Sequence, residues 1–145
     1  MDQPSFLTVF RGTARVIAAA GLAVDAYVHA KLASQYDAVT ATWSQGDLFR
    51  AEAGLASLAA LLVLVWRRAF VDAFALLVAL AGLFAILLYR YVDVGTLGPL
   101  PNMYEPVWFA DKTRTVVSQV VAAVATVFLL LTTWVSRIHA RRALR

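Results

Sequence analysis

Four long apolar runs, separated by polar stretches, set the pattern of this chain. Their approximate bounds are residues 13–33, 48–66, 69–92 and 114–136. Each is close to the roughly 20 residues that an α-helix needs to cross about 30 Å of hydrocarbon. Transmembrane strands would be shorter and would alternate in polarity, and no such alternation is present. The pattern predicts an all-α integral membrane protein, with residues 1–145 forming a single four-helix transmembrane domain.

The connections between the runs are of two kinds. Trp66, Arg67 and Arg68 make a very short turn, whereas residues 34–47 and 93–113 make long polar loops. The second long loop holds three of the four prolines and is therefore not one helix. These connections favour an antiparallel up-down bundle, with Asp47 the expected N-cap of the second helix.

The residues before the first run leave two interpretations open. Residues 6–10 form a short amphipathic lead, which either lies along the membrane interface or simply extends the first helix. The apolar run continues into Asp25 and His29 without a small-residue cleavage site. We therefore expect a retained helix rather than a cleaved signal peptide.

Composition supports burial in lipid. The chain is 61% hydrophobic and 15% charged, whereas soluble domains are about 45–50% apolar and about 25% charged. The chain contains no cysteine, which excludes disulfides, thiol chemistry and Cys-ligated metal centres. The net charge of +4 is assigned to a membrane surface and not to nucleic acid, because the cations cluster at the predicted helix ends.

The distribution of charge predicts the orientation. Eight basic and two acidic residues fall on one side of the predicted bundle, and five basic and seven acidic residues on the other. Because positive loops stay in the cytoplasm, both termini are expected inside and both long loops outside. The eight cations of the inner side are Arg11, Arg15, Arg67, Arg68, Arg137, Arg141, Arg142 and Arg145.

Two ionisable residues lie within the first apolar run. Asp25 and His29 are four residues apart and share one helical face. With a rise of 1.5 Å per residue, Asp25 lies about 15 Å from Arg15, near the mid-plane, and Glu52 of the second run is level with His29. An ionisable group at this depth is disfavoured by about 2.5–3.5 kcal/mol on insertion scales, so such groups usually face the bundle and find partners.

The third and fourth runs place further polar residues in the outer half or at its rim. Gln119 of the fourth run lies in the outer half, and Tyr89 and Arg90 of the third lie near its rim. The sequence therefore predicts a polar pocket in the outer half of the bilayer. Its expected ligand-binding residues are Asp25, His29, Glu52, Arg90, Gln119 and Tyr89.

Several chemistries fit this set. His29, Asp25 and Glu52 are nitrogen and oxygen ligands suited to a divalent metal. A histidine beside a carboxylate also relays protons or binds a quinone carbonyl. The third interpretation is an ion pair that braces the helices, either Asp25–His29 or Glu52 with Arg50 or Arg90. A haem with two axial histidines in one chain is not expected, because the only other histidine lies in the C-terminal tail. A haem held by His29 and a different second ligand stays open.

No known catalytic motif is present: the chain lacks a GxSxG element, a phosphate-binding glycine loop and HExxH. The sequence thus identifies no reaction and no cofactor. Residues 99–109 offer Tyr104, Glu105 and Trp108 either as a lid over the pocket or as an interfacial anchor. The anchor is favoured, because Trp and Tyr prefer the headgroup region.

The first run, RVIAAAGLAVDAYVHAKLA, resembles the first helix of DoxX-like small four-helix bacterial membrane proteins. The matching residues are Arg15, Gly21, Lys31 and Leu32. The resemblance covers about twenty residues and includes neither Asp25 nor His29. It implies a bacterial inner-membrane location and a role beside a quinone-linked redox enzyme.

These features lead us to expect an accessory or binding subunit that holds a lipid or quinone in the outer-half pocket. Its partners would be the lipid bilayer and a larger membrane complex or further copies of itself, with no nucleic acid. One alternative is a membrane redox protein or enzyme that uses a metal or quinone at Asp25, His29 and Glu52. A second is an oligomeric small transporter or channel.

Overall fold

The computed structural model describes residues 6–143, which form four α-helices and no β-strand. The helices are α1 (Phe6–Leu32), α2 (Gln45–Val65), α3 (Ala69–Tyr91) and α4 (Ala110–Ala143), and a 3₁₀ turn (Ala33–Tyr36) follows α1. The all-α, four-helix prediction is confirmed.

The two outermost helices are longer than the apolar runs within them. Helix α1 starts at Phe6, so the amphipathic lead extends the first helix. Helix α4 covers 34 residues and contains neither glycine nor proline. Nothing in either extension interrupts the backbone hydrogen bonds, so each helix continues past its apolar part.

Helix α2 begins with a capping box three residues earlier than expected. Ser44 is the N-cap: its hydroxyl accepts from the Asp47 amide (2.9 Å), and the Asp47 carboxylate accepts from the Ser44 amide (3.3 Å). The prediction of Asp47 as the N-cap was wrong, because the Ser44 hydroxyl satisfies one free amide and the Asp47 carboxylate closes the box from the third helical position.

The turn between α2 and α3 is three residues long. Trp66 ends α2 in an extended conformation, and Arg68, also extended, precedes α3. The Arg68 carbonyl accepts from the amides of Val71 and Asp72 at 3.0 and 3.2 Å. This turn holds α2 and α3 together at one end only, which matters for the cavity described below.

Helix packing is close because the interior is built mainly from alanine. Each helix packs mainly against two others, in the circular order α1, α2, α3, α4, and among these four pairs the α2–α3 contact is the least extensive. Small interior residues let the backbones approach. Gly21 is the clearest case, because a Cβ at this position would lie 2.7 Å from the Ser118 carbonyl oxygen of α4. Fully buried alanines come from all four helices: Ala18, Ala56, Ala59, Ala75, Ala79 and Ala122.

The outer surface of the bundle is apolar. Large side chains such as Val65 (74% exposed) and Phe84 (67% exposed) point away from the interior. All four helices are long and apolar enough to cross a membrane, with mean hydropathies from 1.4 to 2.6 in their apolar windows. Because so much apolar surface would be unfavourable in water, the described chain has the features of a multi-pass membrane protein.

The two long loops lie at the same end of the bundle and contact each other. The Trp43 amide donates to the Pro99 carbonyl at 3.1 Å. Arg50 donates to both carboxylate oxygens of Asp37 at 2.8 and 2.9 Å. These hydrogen bonds hold the pKa of the Asp37 carboxyl below its usual range.

Candidate functional site

Asp25 is the most enclosed member of the polar cluster. It is completely buried and accepts a hydrogen bond from Nε2 of Gln119 on α4 at 3.0 Å. Nδ1 of His29 lies 3.1 Å from Asp25 Oδ1 and 3.0 Å from the Asp25 backbone oxygen. Since a backbone oxygen can only accept, Nδ1 carries the proton, and the other ring nitrogen, Nε2, is the one available to a ligand.

Glu52 joins the cluster from α2, and Gly82 of α3 makes room for it. Glu52 is near enough to Asp25 and His29 to interact electrostatically with both. A Cβ added at Gly82 would lie 2.8 Å from Glu52 Oε1 and would overlap the Gln119 side-chain nitrogen. The polar side chains of α1, α2 and α4 therefore meet against the bare backbone of α3.

The cluster has more acceptors than donors. Three of its buried oxygens have no hydrogen-bond partner among the described residues: Asp25 Oδ2, Glu52 Oε1 and Gln119 Oε1. A buried acceptor without a donor costs about 1–3 kcal/mol. The arrangement is thus incomplete as a purely structural brace.

A cavity of about 390 Å³ lies next to this cluster. His29 and Glu52 form its polar end, and most of the remaining wall is apolar. Its size is within the range of about 300–1,000 Å³ typical of ligand pockets. The edge of His29 also packs against Phe49, with ring centroids 5.1 Å apart and planes at 86°, which fixes the imidazole at the wall.

The cavity opens sideways between α2 and α3. Ala51 and Leu55 of α2 and Ala81 and Ala85 of α3 line it and are also exposed on the outside of the bundle. The opening therefore lies on the apolar outer surface of the bundle. A molecule entering here would come from hydrocarbon and not from water.

The end of the cavity nearest the two long loops is covered by the loop before α4. Leu100, Met103 and Glu105 line the cavity from this loop, and the Glu105 amide donates to the Tyr89 carbonyl at 3.0 Å. Tyr36 donates to the Glu105 carboxylate at 3.0 Å. The loop thus forms a cover, although the sequence favoured an interfacial anchor.

Lys112 holds this cover in place. Its ammonium group donates to the backbone oxygens of Glu105 and Val107 at 2.7 and 2.9 Å and lies 3.5 Å from the Glu105 carboxylate. Lys112 is itself 6% exposed. Tyr104 and Trp108 of the same loop are 39% and 40% exposed, so these two rings still point outward.

The other predicted site residues take different places. Tyr89 lines the cavity, whereas Arg90 does not. The Arg90 guanidinium lies over the rings of Tyr91 and Trp108, 5.0 and 5.4 Å from their centroids. Glu52 pairs with neither Arg50 nor Arg90, because Arg50 binds Asp37 and Asp47 instead. That part of the bracing interpretation was wrong.

A second buried ion pair lies nearer the α2–α3 turn. Arg15 donates to both carboxylate oxygens of Asp72 at 2.7 and 3.1 Å and to the Val63 carbonyl at 3.0 Å. The exposed fractions of Arg15 and Asp72 are 4% and 0%. From the sequence, Arg15 was counted among the eight cations of one side of the bundle, and Asp72 is one of the two acidic residues counted there. The signal that could have revealed the pair is the position of each a few residues inside an apolar run.

The described residues contain no group of three or more His, Cys, Asp or Glu side chains arranged to hold a metal ion. A metal at Asp25, His29 and Glu52 stays a prediction from residue types alone. No protein-family model, curated protein or solved structure matches this chain.

Proposed function

We propose that this chain is a small binding protein of the membrane, which takes an amphipathic lipid or quinone from the bilayer into the cavity between α2 and α3. The observation that carries the proposal is the cavity itself. It combines a lateral opening on the apolar surface with two ionisable side chains, His29 and Glu52, at its inner end. A gap left by imperfect packing is not expected to combine a lateral opening with two ionisable side chains.

The proposed binding mode follows from the wall. The apolar tail of the guest lies between Leu55 of α2 and Ile86 of α3, and its head group reaches His29 and Glu52. Burial of each methylene contributes about 0.8 kcal/mol in water, but a guest already dissolved in lipid gains little from this. Selectivity therefore comes from the polar end.

The location and topology complete the proposal. The helices form an up-down bundle in a bacterial inner membrane, with both termini and the Trp66–Arg68 turn in the cytoplasm and the cavity in the outer half. The excess of cations at the termini and at the turn supports this orientation. The absence of native cysteine permits a simple test: Thr42→Cys should react with an impermeant thiol reagent in intact cells, and Arg67→Cys should not.

An accessory role is the functional context that this binding site supports. The protein would hold a lipid or quinone beside a partner enzyme, as its resemblance to DoxX-like proteins implies. A guest held only by His29, Glu52 and an apolar wall can leave again through the lateral opening, because no described element closes that side.

Native mass spectrometry of protein released from its own membrane tests the binding function. Wild-type protein is expected to retain a hydrophobic adduct. Ala85→Trp, which places a large ring at the cavity wall, should lose it. Ala73→Trp is the matched control, because Ala73 is exposed on the same helix and does not line the cavity. Equal adducts on all three proteins, or none on the wild type, would refute the proposal.

A further inference from the structure

The hydrogen bonds of the polar cluster are distributed unevenly. Its two donors, His29 Nδ1 and Gln119 Nε2, are both directed at Asp25. Glu52 Oε1 is buried and receives nothing. Asp25 Oδ2 and Gln119 Oε1 are also buried and without a hydrogen-bond partner. The end of the cavity is therefore rich in acceptors.

The Glu52 and Asp25 carboxyls lie within hydrogen-bond reach of each other and can share one proton, but no other side chain among the described residues corrects this imbalance. Lys112 donates to the Glu105 and Val107 carbonyls. Tyr89 lines the cavity seven residues beyond Gly82, which is about 10 Å farther along α3. Among the described residues, the only buried side-chain donor atom without a partner is Nε of Arg90. Its guanidinium is held over aromatic rings outside the cavity.

His29 adds to the acceptor character. Its Nδ1–H is turned toward Asp25, so in the neutral ring Nε2 has a lone pair and accepts. A guest at the polar end consequently meets two acceptors, His29 Nε2 and Glu52 Oε1. A ketone or ester head group would bring a third acceptor, whereas a hydroxyl would bring a donor.

We infer that the cavity selects guests whose head group donates a hydrogen bond, such as hydroxyl-bearing amphiphiles, over guests of the same shape that only accept one. The inference rests on the proposed binding function and specifies its ligand class. The guest hydroxyl donates to Glu52 Oε1 and satisfies the buried oxygen that the protein leaves without a partner. Two sources supply this chemistry in a membrane: the reduced, quinol form of a quinone and the free hydroxyl of a diacylglycerol-type lipid.

Two matched probe pairs test the selection and distinguish the sources. One pair is a short-chain ubiquinol and the corresponding ubiquinone. The other is a diacylglycerol and its O-methyl ether. Each probe is titrated separately into phosphatidylcholine nanodiscs that contain the full chain, and the bound fraction is read by native mass spectrometry.

The donor of at least one pair is expected to bind about tenfold more tightly than its partner. This ratio corresponds to about 1.4 kcal/mol, close to the lower end of the range for a hydrogen bond to a charged group. The pair that shows the ratio identifies the source. Equal binding within both pairs, or tighter binding of the acceptor-only member in each, overturns the inference. That second result would mean that Glu52 itself provides the proton.

Glu52→Gln gives an independent readout, because the amide adds a donor where the carboxylate offered only acceptors. The donor preference should fall toward a ratio of one. Ser57→Ala, on the exposed side of α2, should leave it unchanged. A preference that persists in Glu52→Gln contradicts the assignment to Glu52. The wild-type ratio decides the question if this variant fails to fold.

Failure of the inference is distinguishable from failure of the binding function. If no probe binds the wild type, or if Ala85→Trp binds each probe as well as the wild type does, the cavity is not a binding site and both proposals fail. If both members of a pair bind alike and Ala85→Trp loses both, the binding function stands and only the donor selection is wrong.

Discussion

Replacement of Asp72 by asparagine should destabilise the bundle strongly. The carboxylate of Asp72 on α3 accepts two hydrogen bonds from Arg15 on α1, and the same guanidinium donates to the Val63 carbonyl on α2. Three helices thus meet at one buried cation. The variant keeps the size of the side chain and one acceptor oxygen but leaves the Arg15 charge uncompensated.

The expected cost follows from burial. Arg15 is 4% exposed and Asp72 is 0% exposed, so water cannot replace the lost charge. Removal of one member of a buried ion pair costs about 3–5 kcal/mol. We expect about 3 kcal/mol for Asp72→Asn, because the amide oxygen still accepts one hydrogen bond. Arg15→Met should cost about as much, since it leaves a buried carboxylate alone.

The double variant Arg15→Met/Asp72→Asn separates the ion pair from other effects. It buries no charge, so its destabilisation should be smaller than the sum of the two single values by about 3 kcal/mol. The assay is equilibrium unfolding in mixed micelles with increasing sodium dodecyl sulfate, followed by tryptophan fluorescence. Lys31→Met is the control, because the Lys31–Asp111 pair is partly exposed, with Lys31 at 43%, and should cost less than about 1 kcal/mol. Additive single costs, or an Asp72→Asn variant as stable as Lys31→Met, would refute the reasoning.

Three further predictions concern Gly82 beside the polar cluster, the cover of the cavity and the Asp37–Arg50 pair. Gly82→Ala should lower the free energy of unfolding by about 1–3 kcal/mol, because the new Cβ overlaps the Gln119 and Glu52 side chains of the polar cluster. Gly54→Ala is the control: nothing lies within 4 Å of the added carbon, so the free energy of unfolding should rise by about 0.5–1 kcal/mol. Lys112→Met removes the donor to two loop carbonyls, so amide hydrogen exchange and chymotryptic cleavage should increase within residues 99–109. Pairing with Arg50 lowers the pKa of Asp37 in the folded protein. The pair therefore stabilises the fold above the unfolded pKa of about 3.9, and this stabilisation is lost as the pH falls through the lower folded pKa. Below about pH 4, the melting temperature of Asp37→Asn should fall less steeply than that of the wild type.

Each of these has a contradicting result. Equal effects of alanine at the two glycines would mean that α3 is not in contact with the cluster at Gly82. Exchange in residues 99–109 that increases as much in Arg114→Met as in Lys112→Met would remove the role of Lys112, because the Arg114 pair is 62% exposed on the arginine side. An Asp37→Asn melting curve that follows the wild type at every pH would show that the Asp37–Arg50 pair contributes nothing in acid.

The helices were predictable because apolar length is a local property. The three-residue turn around Arg67 and the prolines of the second long loop left little freedom in dividing the chain. Helix ends were less predictable. The amphipathic lead joins α1 because no proline interrupts the helix after Phe6. The Ser44 cap was missed because its partner Asp47 is also a good cap residue.

The sequence predicted the depth of the polar residues along their helices, but not the directions in which their side chains point. A rise of 1.5 Å per residue put Asp25, His29, Glu52 and Gln119 at similar depths, and the structure brings the four together. The direction in which a helix faces depends on its packing against its neighbours. Depth alone therefore predicted neither the role of Gly82 nor the position of the Arg90 guanidinium over Trp108.

The cover and the Arg15–Asp72 ion pair depend on contacts between residues that are distant in sequence. Arg15 and Asp72 are 57 residues apart, and Tyr36 and Glu105 are 69 residues apart. No periodicity links such positions. The position of Arg15 and Asp72 a few residues inside apolar runs was nevertheless a usable hint. A charge is costly to insert there, so it is expected to have a partner.

The most direct test of the binding function is an experimental structure of the full chain in nanodiscs made from its native lipids. We predict continuous density for an elongated molecule that enters between α2 and α3 and ends in a head group within hydrogen-bond distance of Glu52 Oε1. A cavity of about 390 Å³ that is collapsed, or filled by protein side chains, in that structure would contradict the central claim.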